Sequence, residues 1–166
     1  MEEKVQQVKE LITKYFTNDE KRLNHALTSL KFAEEISFLE KVNKKDTLII
    51  QLASLLHDIG IKEAEAKNMS PRGKTQEEEG KVIAEKILTE LNIEPAILER
   101  VVFIVQNGHT FDRINGLDFQ IVWEAEMLVN IVERNLTKWP EHYPNMLRTF
   151  RTEAGKQKLK EIYGVS

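Results

Sequence analysis

The chain has 166 residues, one domain's worth, and 41% of them are hydrophobic, enough for a core at this size. Lys and Arg total 24 against 27 Asp and Glu, and a net charge of -3 excludes the basic excess of a protein that coats nucleic acid. Cysteine is absent, which excludes disulfides, thiolate nucleophiles, iron–sulfur clusters and cysteine-bound zinc together. Chemistry must therefore run on oxygen and on the nitrogens of four histidines, His25, His57, His109 and His142.

Hydrophobic periodicity predicts an all-α protein, a compact helical bundle formed by residues 1–166 as a single domain. A first helix over residues 2–16 carries Val5, Val8, Leu11, Ile12 and Tyr15 on one face. Thr17 and Glu20 have capping-box spacing and predict a second helix with Leu23, Ala26, Leu27, Leu30, Ala33 and Ile36 as its stripe. Asp46 is the expected cap of a third helix through Leu48, Leu52, Leu55 and Leu56, stopping at Gly60. A loop over residues 66–74 follows, with Ser70, Pro71 and Gly73 as its breakers. Thr75 and Glu78 form a second capping box before Val82, Ile83, Ile87 and Leu91. Pro95 suits the first turn of the next helix, which ends at Asn107-Gly108. Asp118 is the expected cap of a long apolar helix over residues 119–134. Pro140 and Pro144 bracket an irregular segment, and a last amphipathic helix is expected over residues 146–163.

The N-terminus has no apolar run of the secretory kind. The longest apolar stretch, residues 48–56, is interrupted by Gln51 and Ser54 and is too short to span a bilayer. The expectation is a cytoplasmic protein without a membrane or nucleic-acid partner. Its amphipathic first and last helices could close the bundle or form a homodimer surface.

His57-Asp58 ends an apolar helix that must be buried on most sides. A carboxylate there opposes the helix dipole by about 0.3–1 kcal/mol, and burial adds a larger cost unless a cation is present. A metal ion would supply that cation; on a surface reading Asp58 faces water or pairs with Lys62. Glu126 stands in a row with Phe119, Val122, Trp123 and Val129, and a carboxylate in so apolar a row needs a partner. That partner is a metal, or a buried arginine or lysine. Glu124 points to the opposite side. His25 lies beside the stripe of the second helix, His109 follows the helix-ending Gly108, and His142 reads as surface. Three histidines and two acids on buried helices could converge in a bundle core, where bundles build metal sites. Imidazole with carboxylate suits manganese, iron, cobalt, nickel or zinc.

The order of these residues resembles the HD-domain superfamily of metal-dependent phosphohydrolases. Asn24-His25-Ala26 with Phe32-Ala33-Glu34-Glu35-Ile36 resembles the helix of the first family histidine. Leu55-Leu56-His57-Asp58-Ile59-Gly60 is similar to the motif that names the family. Thr75 to Gly80 with Ile83-Ala84 looks like its next helix, and residues 103–110 resemble the segment that often supplies another histidine. Glu124-Ala125-Glu126-Met127-Leu128 falls where the family writes Asp-Ala-Asp before leucine. The likeness covers residues 20–132.

The resemblance implies an HD-type helical fold and a phosphohydrolase acting on a small phosphorylated metabolite or nucleotide. It implies one divalent metal ion held by His25, His57, Asp58 and Glu126. Asp58 would also orient the nucleophile, and His109 would touch the substrate phosphate or a water. Lys62, Arg72 and Lys74 are the expected phosphate-binding cations, in part on a lid-like loop. Two residues depart from the family pattern. Glu126 replaces the usual aspartate, and Gln76 stands where two-metal branches have histidine. The first departure keeps a second function open, a regulatory module that binds metal or nucleotide without turnover. A helical interaction domain with no site would instead leave His25, His57 and Glu126 far apart.

Overall fold

A computed structural model of the chain describes residues 1–67 and 74–165. The helices are α1 (Glu2–Tyr15), α2 (Glu20–Leu39), α3 (Lys44–Leu56), α4 (Ile61–Ala66), α5 (Lys74–Glu90), α6 (Pro95–Gln106), α7 (Gly116–Glu133), α8 (Tyr143–Leu147) and α9 (Glu153–Tyr163). Short 3-10 turns lie between α6 and α7 and between α7 and α8, and no strand occurs among the described residues. None of the described helices is long and apolar enough to cross a membrane.

The architecture is built around α3. It buries Leu48, Ile49, Ile50, Leu52, Ala53, Leu55 and Leu56, so apolar side chains cover nearly its whole circumference. Each fully buried leucine or isoleucine contributes about 1.5–3 kcal/mol, and α1, α2, α6 and α7 pack around it to gain that. The helix α7 is next most enclosed, with Phe119, Ile121, Val122, Ala125, Leu128, Val129 and Ile131 buried. Helices α2, α3 and α7 touch one another pairwise, and the ends of all three meet at one cleft.

Several boundaries differ from the sequence expectation, each for a local reason. The cap of α2 is Asp19, whose side chain accepts from the Arg22 N–H at 3.3 Å. Thr17 instead returns its hydroxyl to the Lys14 carbonyl. Asn43, rather than Asp46, caps α3 by accepting from the Asp46 N–H at 2.9 Å. The third helix ends at Leu56, and Gly60 begins the short α4 instead of stopping the chain. Lys74 is already helical, so Thr75 is inside α5 and does not cap it. Asn115 precedes α7 and Asp118 lies in its first turn, held by Arg100 at 2.7 Å. The expected final helix is two, α8 and α9, with a new cap at Thr152. The loop expected around Arg72 falls at residues 68–73, outside the described residues.

One close crossing positions the site. A Cβ on Gly60 would lie 2.5 Å from the Gly80 nitrogen and closer still to the Gln76 carbonyl oxygen. Only a residue without a side chain lets the backbone of α5 come this near the turn that follows His57-Asp58. That contact brings Gln76 and Glu77 within reach of the residues at the end of α3.

Candidate metal centre

His25 projects from the second turn of α2 toward α7. Its Nε2 lies 2.9 and 3.0 Å from the two Glu126 oxygens and 3.1 Å from Asp58 Oδ2. Its Nδ1 lies 2.8 Å from Glu133 Oε2. His57, buried at the C-terminal cap of α3, has Nδ1 at 3.1 Å from Asp58 Oδ1 and 3.8 Å from Glu126 Oε2. Its Nε2 lies 3.2 Å from the Gly108 carbonyl oxygen. His109 reaches in from the turn after α6, with Nε2 at 3.4 Å from Asp58 Oδ1 and its ring edge-on to that of His57. Gln76 donates its amide to Asp58 Oδ1 at 2.7 Å.

Among the described residues, the ligand atoms that lie within 4.8 Å of one another form two triads, His25–Asp58–Glu126 and His57–Asp58–His109. Asp58 belongs to both, so the cluster is continuous around its carboxylate. His25, Asp58, His109 and Glu126 line a cleft of about 740 Å³ together with Lys21, Arg22, Trp123, Met127 and Arg134, and His57 lies buried behind Asp58.

Both imidazoles of His25 and His57 face acceptors through both nitrogens. A neutral imidazole has a single N–H, so each ring here must either carry an extra proton or give one lone pair to a cation. The pKa values follow from that crowding. Burial opposes charge on His25, but the hydrogen bonds and charges of Asp58 and Glu126 together outweigh it and push the ring up to about 11. Burial likewise opposes charge on His57, and Glu126, Asp58 and the Gly108 carbonyl raise it to about 9. Burial raises Asp58, yet hydrogen bonds from His109, His25 and His57 hold its carboxyl well below the usual carboxylate range.

A divalent ion fits this donor set. Metal–nitrogen and metal–oxygen bonds of about 2.0–2.2 Å place neighbouring ligand atoms about 3 Å apart, which is the spacing of His25 Nε2 from Asp58 and from Glu126. The outer nitrogens are also held as metal-bound histidines require, His25 by the Glu133 carboxylate and His57 by a backbone carbonyl.

No family model and no curated protein matches the chain. Among solved structures, it matches the crystal structure of a predicted HD superfamily hydrolase from an uncultured Thermotogales bacterium. The identity is 20%, the TM-score 0.68, and the match covers 99% of this chain and 85% of that one. The chain has the HD-superfamily fold.

Within the HD fold, the structure brings together His25, His57, Asp58, Glu126 and His109, and a domain with these residues far apart is ruled out. Lys62 does not join them. Its ammonium lies over the Tyr15 ring and donates to the Tyr15 carbonyl at 3.1 Å, drawn to the end of α1. Lys74 is exposed at the start of α5 and does not line the cleft. Arg72 lies outside the described residues. Among the described residues, the Lys and Arg side chains lining the cleft are Lys21, Arg22 and Arg134, and Arg22 is paired with Asp19 and Glu65.

Glu133 is the most informative residue that sequence reasoning missed. It follows Glu126 by seven residues, two helical turns, so it shares the same face of α7; that spacing was a usable signal. Glu77 and the Gly108 carbonyl carried no such mark, because their partners come from distant segments.

Glu124 does point away from the cleft, as its position relative to Glu126 predicts. It is fully buried there, accepting from the Gln120 amide at 2.6 Å, the Thr152 hydroxyl at 2.6 Å and the Arg151 and Thr152 N–H groups at 3.0 and 3.2 Å. His142 is exposed against Trp139, apart from the cluster.

Proposed function

We propose that the protein is a metal-dependent phosphohydrolase that takes a small phosphorylated metabolite or nucleotide, with one divalent transition metal ion held by His25, His57, Asp58 and Glu126. The convergence of these residues, three of them lining an open cleft and His57 buried against Asp58, supports this most directly, with the HD fold as context. When bound, the ion would supply a Lewis acid that acidifies water and offsets charge on a phosphoryl oxygen. A single ion is favoured because Gln76, where a second-site histidine would stand, spends its amide on Asp58.

Hydrolysis forms a P–O bond from water and breaks the P–O bond to the leaving oxygen, so one proton must leave the water and one must reach the leaving group. Asp58, held low by three imidazoles, orients the water as a hydrogen-bond acceptor and does not store its proton. His109, 3.4 Å from Asp58 and 27% exposed at the cleft, exchanges the proton with water and leaving group. Lys21 and Arg134 would meet the outer phosphate oxygens. Trp123 and Met127, one turn apart on α7, would face the organic part of the substrate.

The test is a screen of phosphorylated metabolites in added manganese or cobalt, with elemental analysis of the purified protein and His57→Ala as control. Metal-dependent release of phosphate by the wild type alone is the expected result. Full activity in metal-free His57→Ala would refute the reading. Bound metal with no turnover across the panel would favour the regulatory module, for which the longer Glu126 side chain, already closed onto His25, is the supporting observation. Glu126→Asp run alongside separates a handicapped site, which gains activity, from one built around glutamate, which loses it.

A further inference from the structure

The turn that follows α6 touches the cluster at two points, through the Gly108 carbonyl on His57 and the His109 ring on Asp58. Its own fastening is weak at the first of these. The Gly108 N–H reaches the Val105 carbonyl at only 3.4 Å, near the limit of a hydrogen bond. The turn is also close-fitting, since a Cβ on Gly108 would lie 2.8 Å from His57 Nε2. Away from the cluster, the turn is tied to α5 by Glu77, a buried carboxylate. Glu77 Oε2 accepts from the His109 N–H at 3.2 Å, and both oxygens lie 3.2 Å from the Thr110 hydroxyl.

We propose that Glu77 is a positioning residue that, through residues 108–110, places His57 and His109 around Asp58. Gln76, its neighbour, grips Asp58 directly, so one end of α5 holds both the shared carboxylate and the two histidines beside it. The Gly60–Gly80 crossing is what sets that end at the right height. Without Glu77, the carbonyl that fixes the His57 tautomer and the ring of His109 drift together, because they belong to one short turn. This role rests on the metal reading above.

The experiment measures cobalt(II) affinity and the cobalt absorption spectrum for the wild type, Glu77→Ala, Glu77→Gln and Thr110→Val, with thermal melts of each. Glu77→Ala is expected to bind about tenfold more weakly, the low end for lost outer-shell support, with an altered spectrum. Glu77→Gln is expected to restore most of the affinity, since its amide oxygen still accepts from Thr110 and His109. A merely structural Glu77 would lower the melting temperature and leave affinity and spectrum unchanged in the folded protein, which overturns the proposal. If Glu77→Ala does not fold, Thr110→Val carries the test: a smaller loss of the same sign supports the role, and wild-type affinity and spectrum overturn it. A wild-type protein that takes up no cobalt overturns the metal reading, and this proposal with it. Tight wild-type binding matched by every variant overturns this proposal alone.

Discussion

Metal binding to this centre should release protons, and the number released tests the ligand assignment ring by ring. In the metal-free protein His25 and His57 hold their cluster-facing nitrogens protonated, with pKa values of about 11 and about 9. A nitrogen must lose its proton before it can bind a metal. Below pH 9 both rings must do so, so binding one ion expels two protons, and Kd falls about a hundredfold per pH unit. Between 9 and 11 only His25 still has a proton to lose, and the dependence drops to about tenfold per unit. Asp58 is already ionised throughout, because the three histidines hold its pKa low.

The assay is competitive metal titration against a chelator of known pH dependence between pH 6 and 8.5. Calorimetry in two buffers of different ionisation enthalpy counts the protons independently. A count of two that falls to one in both His25→Ala and His57→Ala is the expected outcome. A count of zero in the wild type would refute the reasoning, since neither ring could then be giving its cluster-facing nitrogen to the ion. The same pKa values set the stability of the metal-free protein. Raised histidine pKa values add stability that is full below about pH 6.5 and is lost as pH rises through 9 to 11. The melting temperature of the metal-free protein should therefore fall over that alkaline window.

Three substitutions test the surrounding scaffold. Gly60→Ala drives a methyl group into the backbone of α5, and urea unfolding should show a loss of about 3 kcal/mol, the upper range for overpacking; an unchanged midpoint would mean that the crossing is loose. Glu133→Ala strips the acceptor from His25 Nδ1 at a position 33% exposed, so metal affinity should drop about 10–100-fold while the fold persists, as read by chelator competition and circular dichroism. Glu124→Ala leaves four donors facing a cavity, and should cost about 3 kcal/mol or more in denaturant titration while the folded fraction keeps wild-type metal affinity.

Helix periodicity made much of this fold legible: Val5, Val8 and Ile12 of α1 and Phe119, Val122 and Val129 of α7 are buried as their spacing marks, with Leu11, Tyr15 and Trp123 half-buried beside them. What stayed hidden depended on partners far away in the chain. Between Met146 and Tyr163 the one cue to the break at residues 148–152 is Thr152, a capping residue type before an acidic first turn; what holds the break, the Glu124 carboxylate accepting from the Arg151 and Thr152 N–H groups, comes from a distant segment. Lys62 reads as a phosphate ligand from its place after His57-Asp58, but its ammonium is engaged by the Tyr15 ring and carbonyl and does not line the cleft. The cluster itself was readable because polar residues at the edges of apolar helices are conspicuous. Its outer support was less so, since Glu77 and Glu78 look alike in sequence and only one is buried.

The two acids of α7 show what separates a site from a structural carboxylate. Glu124 and Glu126 are both buried, two residues apart and on opposite sides of the helix. Glu124 is saturated by a hydroxyl, an amide and two backbone N–H groups, donors that need no added charge. For Glu126 the Ser29 and Asn130 contacts are long, 3.5 and 3.4 Å, and its short partner is the His25 ring. That ring can donate to Glu126 while also donating to Glu133 only by carrying a positive charge. Burial alone would rank the two acids together. It is the lack of close neutral donors among the described residues that leaves Glu126, and not Glu124, dependent on a cation, and a metal ion can replace the His25 proton without disturbing either carboxylate.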